Sequence, residues 1–240
     1  MPSFSGQPVM FDINPFESGT VQKHELGALA FSKDGRKFRY AKNGASAMAA
    51  GKLYQTSAIA ANHVNLSVAA AAIGATQVTI TLGNTAATAN QYAGGYLHVN
   101  DGTGEGHTYQ IDSHPAADAS ATLLLTLKDK IKVALVASGT SECSLVANPY
   151  NGLVIMPTTI TGAPAGWAVF AVPASEYCWI QTGGVLSALQ DGTPAAGAAL
   201  SPSNAVAGAV ESGVIGQGVV ANALQTGVDT EYQMIFAILD

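Results

Sequence analysis

The sequence predicts a mainly β protein of sandwich or barrel type, with few helices and an extended N-terminal arm. Turn-forming glycine, proline, threonine and asparagine recur about every 8–15 residues along the chain. Between them lie short runs in which apolar and polar residues alternate, a pattern typical of half-buried strands. The chain has no heptads and no repeat at a fixed period of 20–50 residues, which argues against coiled coils, propellers and solenoids. Sandwich and barrel architectures remain.

The middle of the chain carries the clearest strand pattern. In residues 77–82, Val78, Ile80 and Leu82 alternate with polar residues, so one face of this strand is expected to be buried. Further strands are predicted over 96–99, 108–112, 123–127 and 131–136. We expect the strands 96–99 and 108–112 to pair across the polar loop 100–106.

The C-terminal part is predicted to contain two hairpins. Asn151-Gly152 is a type I′ turn pattern between strands 144–150 and 153–156. Thr182-Gly183-Gly184 predicts a three-residue loop between strands 177–181 and 185–189. Other predicted strands in this part are 167–172, 214–221 and 232–239.

Helical segments are poorly supported. Residues 58–72 are rich in alanine but contain several poor helix formers, so helix and coil both stay open there. Residues 195–210 predict loop or extended chain.

The sequence divides into three regions: an N-terminal arm with a basic strand over 1–52, a small β unit over 53–147 and an acidic β unit over 148–240. The sequence leaves open whether the first and third regions pack together around an inserted second one.

Charge is scarce and unevenly distributed. Charged residues make up 11% of the chain, against roughly 25% in ordinary soluble domains. No lysine or arginine follows Lys132, and the net charges of the three segments 1–52, 53–132 and 133–240 are +3, −2 and −7. Such a chain is a poor nucleic-acid binder, because phosphate contacts need basic side chains. It also lacks a signal peptide pattern and a run of apolar residues long enough for a membrane helix. We therefore expect a surface covered largely by other protein, as in a permanent assembly.

No catalytic motif is found, so we predict neither an enzyme nor a bound cofactor or metal. Among the histidines, His98, His107 and His114 lie near carboxylates; a divalent metal site is one interpretation, and a polar loop with solvated side chains is the favoured one. Cys143 and Cys178 match no zinc spacing and are interpreted as free, small apolar residues rather than as a disulfide.

Two groups of residues are candidates for a contact with the capsid or another subunit. The first is a basic strand with interleaved aromatic rings: Lys33, Arg36, Lys37, Phe38, Arg39 and Tyr40. This strand is predicted to be either a solvated hairpin or a strip that docks on the acidic C-terminal region of a neighbouring copy. The second group contains Trp167, Tyr177 and Trp179, whose rings are expected to be core anchors, with interface anchors as the alternative.

Several stretches resemble structural proteins of tailed bacteriophages. They are DGRKFRYAKNGA at 34–45, AAGKL at 49–53, GEGHTYQI at 104–111, NPYNG at 148–152 and EYCWIQTGG at 176–184. In the last stretch Cys178 stands where glycine is usual. The family that the chain resembles is the capsid decoration, or cement, protein.

The resemblance implies a β-rich subunit, often trimeric, that binds the major capsid protein on the outside of the head and stabilises capsomer joints. It implies synthesis in the host cytoplasm and a final place on the virion exterior. The alternative is a tail, fibre or baseplate component that contacts a receptor or glycan, for which an exposed aromatic-lined groove is expected. An enzyme such as a glycan hydrolase and a cellular adhesin or surface-layer subunit are the remaining hypotheses.

Overall fold

The computed structural model describes residues 9–11, 13–137, 140–213 and 216–240 of the chain. Within these residues the regular structure is almost entirely β, which confirms the predicted fold class. The single helical element among them is a 3-10 turn, Ala61–His63. The strands, in chain order, are β1 (Val9–Phe11), β2 (Ser18–Gly19), β3 (Leu29–Phe31), β4 (Lys37–Asn43), β5 (Leu53–Gln55), β6 (Leu66–Ser67), β7 (Gln77–Thr81), β8 (Tyr96–Gly102), β9 (Thr108–Ser113), β10 (Thr122–Leu127), β11 (Ser141–Val146), β12 (Asn151–Ile155), β13 (Pro164–Ala168), β14 (Tyr177–Leu189), β15 (Ala199–Pro202), β16 (Val210–Ser212), β17 (Ala221–Ala223) and β18 (Tyr232–Ile238).

The chain divides into two compact units. One unit combines Met1–Ala58 with Pro149–Asp240, and the other is Ile59–Asn148. The first and last parts of the chain therefore belong to the same unit, a choice that the sequence had left open. Of the predicted N-terminal arm, residues 1–8 and 12 lie outside the described residues.

The first unit contains a closed ring of five strands. Hydrogen bonding follows the order β4-β12-β5-β13-β14, and β14 also pairs with β4, which closes the ring. The side chains of a tight apolar cluster belong to these strands and their connections: Ala41, Met48, Tyr54, Leu153, Ala165, Ala168, Val172, Cys178 and Ile180. Because alternate residues of a closed sheet point inward, these side chains pack together inside the ring.

Strand β14 extends beyond the ring into an open part of the same hydrogen-bonded sheet, which is here called the second sheet. Its first half pairs with β4, from Tyr177 to Gly183, and its second half pairs with β18, from Gly183 to Leu189. The hairpin predicted at Thr182-Gly183-Gly184 is therefore wrong, because one continuous strand of 13 residues runs through it. Gly184 has a φ of +86° and Gly183 marks a register shift against β4, so the glycines serve as a bulge where the strand changes partners.

The second sheet continues from β14 through β18, β17 and β15 to β16. One face of this sheet is buried in the unit's largest apolar cluster, which includes Trp167, Leu186, Leu200, Ile235 and Ala237. The strand predicted over 232–239 is confirmed as β18. Of the strand predicted over 214–221, residues 214 and 215 lie outside the described residues, and β17 begins only at Ala221.

The unit Ile59–Asn148 is a six-stranded sheet that curls toward closure. Its strands follow the order β6-β11-β8-β9-β10-β7, and an isolated bridge between Val68 and Ile80 links the two ends. The interior of this unit is filled by apolar side chains from all six strands, among them Leu97, Ile111 and Leu123. The strand predicted at 77–82 is confirmed as β7, with Val78 and Ile80 buried, and the pairing predicted between 96–99 and 108–112 is found between β8 and β9.

Two further local predictions are wrong. Residues 131–136 form no strand; Ile131 and Leu135 are buried, and Leu135 makes one isolated bridge with Ala71. Asn151-Gly152 does not close a hairpin, because β11 pairs with β6 and β8 whereas β12 pairs with β4 and β5. In the ambiguous segment 58–72 only the 3-10 turn and the two-residue β6 are regular.

Within the described ranges no helix is long and apolar enough to cross a membrane.

Candidate functional site

The basic strand is the second strand of a hairpin, and its alternation separates apolar from charged side chains. A tight turn at Ser32–Arg36 joins β3 to β4, with the Gly35 N–H donating to the Ser32 carbonyl at 3.0 Å. Along β4, Phe38 and Tyr40 are buried, while Lys37, Arg39 and Lys42 are half-buried. Lys33 lies in the turn and is exposed. The predicted alternation of this strand is present, but its aromatic face points into the protein.

The aromatic rings of this region form one cluster on the β4–β14 pair. Tyr40 and Trp179 are opposite each other in the strand register, and their ring centroids lie 5.1 Å apart at a steep angle. Tyr177 stacks on Tyr40 at 6.0 Å, and the His24 ring lies edge-on to Tyr40 at 5.0 Å and tilted against Trp179 at 5.4 Å. Burial, with a smaller contribution from Lys23, lowers the pKa of His24, so its ring is held neutral.

Two of the predicted interface residues, Phe38 and Tyr40, are therefore corrected. For Trp167 and Trp179 the structure shows the expected core anchors and not the interface alternative. Phe38 and Trp167 have no exposed surface, and Tyr40 and Trp179 retain only 4% and 5%. A side chain that is packed in the core of its own unit offers no surface to a partner, so these four rings stabilise the fold. Tyr177 is half-buried and carries the Lys42 ammonium over its ring at 5.3 Å. The residues of the predicted interface that remain accessible are Lys33, Arg36, Lys37, Arg39 and Tyr177.

The charged residues of the basic strand contact carboxylates of the same chain. Arg36 Nε donates to Asp34 at 2.8 Å, and Arg39 donates through Nε and Nη2 to the two carboxylate oxygens of Asp240 at 2.8 and 3.1 Å. Lys37 Nζ donates to the Asp240 backbone oxygen at 2.9 Å. The basic strand thus contacts the acidic C-terminal region, at Asp240, within one chain. One of the two sequence predictions had placed this contact between neighbouring copies.

An exposed apolar row on the second sheet is the most unusual surface of this unit. The row, here called the apolar face, consists of the outward side chains of β18 and of their neighbours on β14 and just after β17: Val185, Leu224, Tyr232, Met234, Phe236 and Ile238, with Ser187 and Asn222 between them. The exposed fractions of the six apolar side chains are 39–48%. Among the residues that the structure describes, no charged side chain interrupts this row. Contiguous exposed apolar patches of a few hundred Å² mark interaction sites more often than chance.

The strand pairing explains why these side chains share a face. Val185 is opposite Phe236 and Ser187 is opposite Met234 in the β14–β18 register. Residues opposite each other in an antiparallel pair point to the same side of the sheet. The residues in between, such as Leu186 and Ile235, point to the buried side and are nearly inaccessible.

Two hollows flank the apolar face. One, of about 540 Å³, is lined by Phe16, Arg36, Ala49, Ala50, Gly51, Val169, Gln181, Leu186, Ser187 and Tyr232. The other, of about 460 Å³, is bordered by Arg36, Lys37, Gly183, Gly184 and the end of β18. In the first hollow the rings of Phe16 and Tyr232 are 59% and 47% exposed. Arg36 lines both hollows and Lys37 lines the second one. These two basic residues therefore lie at the margin of the apolar face, while the centre of the face carries no charge.

The titratable residues do not assemble a metal site in the described part of the chain. No three His, Cys, Asp or Glu side chains there come close enough to hold a metal ion. His98 contacts Thr108, and His107 bonds to the Gly104 carbonyl at 3.0 Å. His114 is buried elsewhere: it accepts a bond from the Tyr92 N–H at 3.0 Å and its Nδ1 contacts the Pro115 carbonyl at 2.7 Å.

Both cysteines are free and buried. Burial raises the pKa of each thiol to about 12, with small additions from Glu142 and Glu176. A thiol with such a pKa is protonated at neutral pH and is a poor nucleophile. The interpretation of Cys143 and Cys178 as small apolar residues agrees with this placement.

Sequence reasoning missed the apolar face although its residues were on a predicted strand. In β18 both alternating sets are mainly apolar, with Tyr232, Met234, Phe236 and Ile238 on one side and Ile235 and Ala237 on the other. A continuous apolar run indicates a strand buried on both faces. The apolar run was therefore the one sequence feature that could have indicated the apolar face. It does not tell which side of the strand the protein's own core covers.

Comparison of the chain with protein-family models, with curated proteins and with solved structures found no match in any of the three.

Proposed function

We propose that this protein is a structural subunit of a virion, most specifically a decoration protein that binds the major capsid protein on the outside of the head. The observation that carries the role of a structural subunit is the apolar face, a charge-free row of six large exposed side chains on a sheet whose other side is packed. The head as the place of assembly is proposed from the sequence resemblance. Exposed apolar patches of this extent are often functional contact surfaces, so we expect another protein to cover this face. The low charged fraction of 11% supports the same conclusion for the chain as a whole.

The mechanism in this role is mechanical rather than chemical. A subunit that binds only assembled heads stabilises them by mass action, because dissociation of the capsomers must also release the bound subunit. The margin of the apolar face carries Arg36 and Lys37 beside Asp34 and Asp240, so it is suited to polar and charged contacts around such an interface. The resemblance of residues 34–45 and 176–184 to phage structural proteins supplies the identity of the partner, and both stretches belong to β4 and β14 and their immediate surroundings.

A co-sedimentation experiment tests this function. Heads assembled without this protein, from the virus whose genome encodes it, are mixed with the purified protein and pelleted. We expect the protein to pellet with the heads in saturable amounts and the temperature of head rupture to rise. Protein that stays in the supernatant at micromolar concentration, with an unchanged rupture temperature, contradicts the decoration role.

A tail or baseplate component with glycan contact is the second candidate, and one observation favours it. The hollow of about 540 Å³ beside the apolar face is rimmed by the exposed rings of Phe16 and Tyr232 and includes Arg36 and Ser187. Aromatic rings with adjacent polar groups suit the apolar face and hydroxyl groups of a sugar. Binding of host surface glycans by the wild-type protein, lost on Tyr232→Ala but kept on Tyr96→Ala, is expected for this function and not for a decoration protein.

A further inference from the structure

We propose that the apolar face is covered by another copy of this chain, so that it forms the contact between subunits of a homo-oligomer. This inference deepens the proposed function and rests on it, because it assigns one of the surfaces by which the subunit is built into an assembly. The six apolar side chains are Val185, Leu224, Tyr232, Met234, Phe236 and Ile238. Only Ser187 and Asn222 add polar groups between them.

The composition of the apolar face matches a permanent contact between like subunits. Homodimer interfaces are more apolar than contacts between proteins that also exist apart, and charged residues are depleted at their centres. Tyrosine, phenylalanine and methionine are enriched there, and one of each lies in this row as Tyr232, Phe236 and Met234. Transient partners, by contrast, need a surface that stays soluble when it is free, and a row without any charge does not provide one.

The architecture of the sheet explains what kind of surface fits. On the buried side of the same strands, Leu186, Ala188, Ile235 and Ala237 are packed in the unit's own core. A sheet that is apolar on both sides requires a layer on each. A second copy supplies a sheet with the same strand lengths and twist, and two such sheets stack with side chains interdigitating across about 10 Å.

The apolar face supplies more than half of the area that a standard interface buries on each partner. At roughly 200 Å² for a fully exposed side chain of this size, exposed fractions of 39–48% give an apolar area of about 500 Å². A standard interface buries about 800 Å² on each partner, including a polar rim. The residues around the two hollows, Arg36 and Lys37 among them, provide such a rim.

A matched pair of variants tests the inference. Val185 and Val154 are exposed to the same degree, 39% and 40%, and both lie on strands of the first unit, but only Val185 belongs to the apolar face. The molar mass of the wild-type protein, Val185→Asp and Val154→Asp is measured by light scattering over a dilution series. We expect a multiple of 24.3 kDa for the wild type, a rise in the dissociation constant of at least ~30-fold for Val185→Asp, and no more than ~3-fold for Val154→Asp.

A second measurement needs no substitution and therefore does not depend on the folding of a variant. Met234 is 40% exposed in a single chain, whereas Met48 and Met156 are buried. Oxidation by dilute hydrogen peroxide, read by mass spectrometry, reports whether Met234 is accessible. We expect Met234 to be oxidised at least ~5-fold more slowly in the concentrated oligomer than after dilution to single chains, with Met48 and Met156 unreactive in both.

The outcomes separate this inference from the proposed function. A wild-type protein of single-chain mass at all concentrations, equal effects of Val185→Asp and Val154→Asp, or unprotected Met234 in an oligomer each overturns the inference. An oligomer that needs Val185 and protects Met234 but does not bind heads supports the inference and contradicts the decoration role. Binding of single chains to heads, with Met234 protected only on the head, assigns the apolar face to the capsid and overturns self-association.

Discussion

The side chains of Arg39 and Asp240 form a two-pronged ion pair between the basic strand and the end of the described chain. Arg39 Nε and Nη2 bond to the two carboxylate oxygens at 2.8 and 3.1 Å, and Nη1 bonds to the Gly27 carbonyl at 2.9 Å. Paired bonds of this geometry are stronger and more directional than a single contact. The most basic and the most acidic regions of the sequence are thus joined within one unit, which removes Arg39 from the charges free to dock on a partner.

The first prediction concerns the acid sensitivity of this pair. The bond from Arg39 holds the pKa of Asp240 below its ordinary value of 3.8. A carboxylate whose pKa is lower in the folded state contributes stability above the unfolded pKa, and this contribution is lost as the pH falls through the folded pKa. Asp240→Asn is expected to lower the free energy of unfolding by about 0.5–1 kcal/mol at pH 7, with a smaller difference from wild type near pH 2.

Urea unfolding at pH 7, 4 and 2 measures this difference. Asp118→Asn is the control, because Asp118 is exposed and makes no side-chain contact among the described residues. It should leave the unfolding midpoint unchanged at neutral pH. A loss at pH 7 that is equal for both variants, or one that persists undiminished at pH 2, contradicts a stabilising ion pair.

The second prediction uses Gly102, the last residue of β8, and Gly106, which lies in the loop between β8 and β9. Gly102 and Gly106 both have positive φ, +76° and +81°. A Cβ on Gly102 would lie 1.5 Å from the Thr140 carbonyl oxygen, whereas a Cβ on Gly106 would meet nothing within 4 Å. Gly106→Ala should cost about 1 kcal/mol for the backbone conformation alone, and Gly102→Ala about 3–5 kcal/mol because the strands must also separate.

Thermal unfolding of the two alanine variants separates conformational strain from the steric clash. We expect a clearly lower midpoint of thermal unfolding for Gly102→Ala than for Gly106→Ala. Equal midpoints would mean that the close approach of residues 102 and 140 is absent.

The third prediction concerns pH and the buried histidine of the second unit. Burial lowers the pKa of His114 from its ordinary value of 6.5, although its bond to the Pro115 carbonyl partly opposes this. The neutral ring accepts a bond from the Tyr92 N–H, and a doubly protonated ring has no lone pair for it. Because the unfolded chain binds this proton more tightly, stability should fall as the pH drops below 6.5.

Nuclear magnetic resonance titration of the His114 ring checks the shift directly, and His114→Gln checks its consequence. The variant should be less stable at pH 7.5 and should lose part of the acid dependence between pH 6.5 and 5. His24 is shifted in the same direction in the other unit, so the comparison with the variant is needed to isolate His114. A His114 midpoint at or above 6.5 would contradict the burial argument.

The fourth prediction is the inertness of both thiols. Cys143 and Cys178 are nearly inaccessible and their pKa values are raised to about 12. A neutral-pH disulfide reagent should therefore label neither in the folded protein, and both after denaturation in urea. Rapid labelling of one thiol in the native state would show that its strand opens or that its burial is incorrect.

The local pattern of the sequence was sufficient to predict strands that the protein's own core covers on one face only. β7 and β18 were predicted to within a residue at most boundaries, because their alternation or continuous apolar character is a property of neighbouring residues. The two false hairpins have a different origin. Gly183 and Gly184 permit either a turn or a bulge, and only the distant strands β4 and β18 decide for the bulge.

The candidate site was the part least accessible from sequence. The rings of Phe38, Tyr40 and Trp179 suggest either core or interface when they are considered alone, and their burial follows from the pairing of residues 37–42 with residues 177–183, some 140 positions away. Conversely, Phe236 resembles a core residue in the sequence and is 44% exposed. Which side of an apolar strand is covered depends on the whole sheet, and no local pattern contains that information.

The most direct test of the account is the solution mass of the wild-type protein, followed by light scattering from high to nanomolar concentration. The apolar face predicts a stable multiple of 24.3 kDa that dissociates only on strong dilution, if at all. A mass of one chain throughout the series, in a protein that stays soluble with Val185, Met234 and Phe236 uncovered, would contradict the claim that this chain is a subunit built to be covered by its own copies.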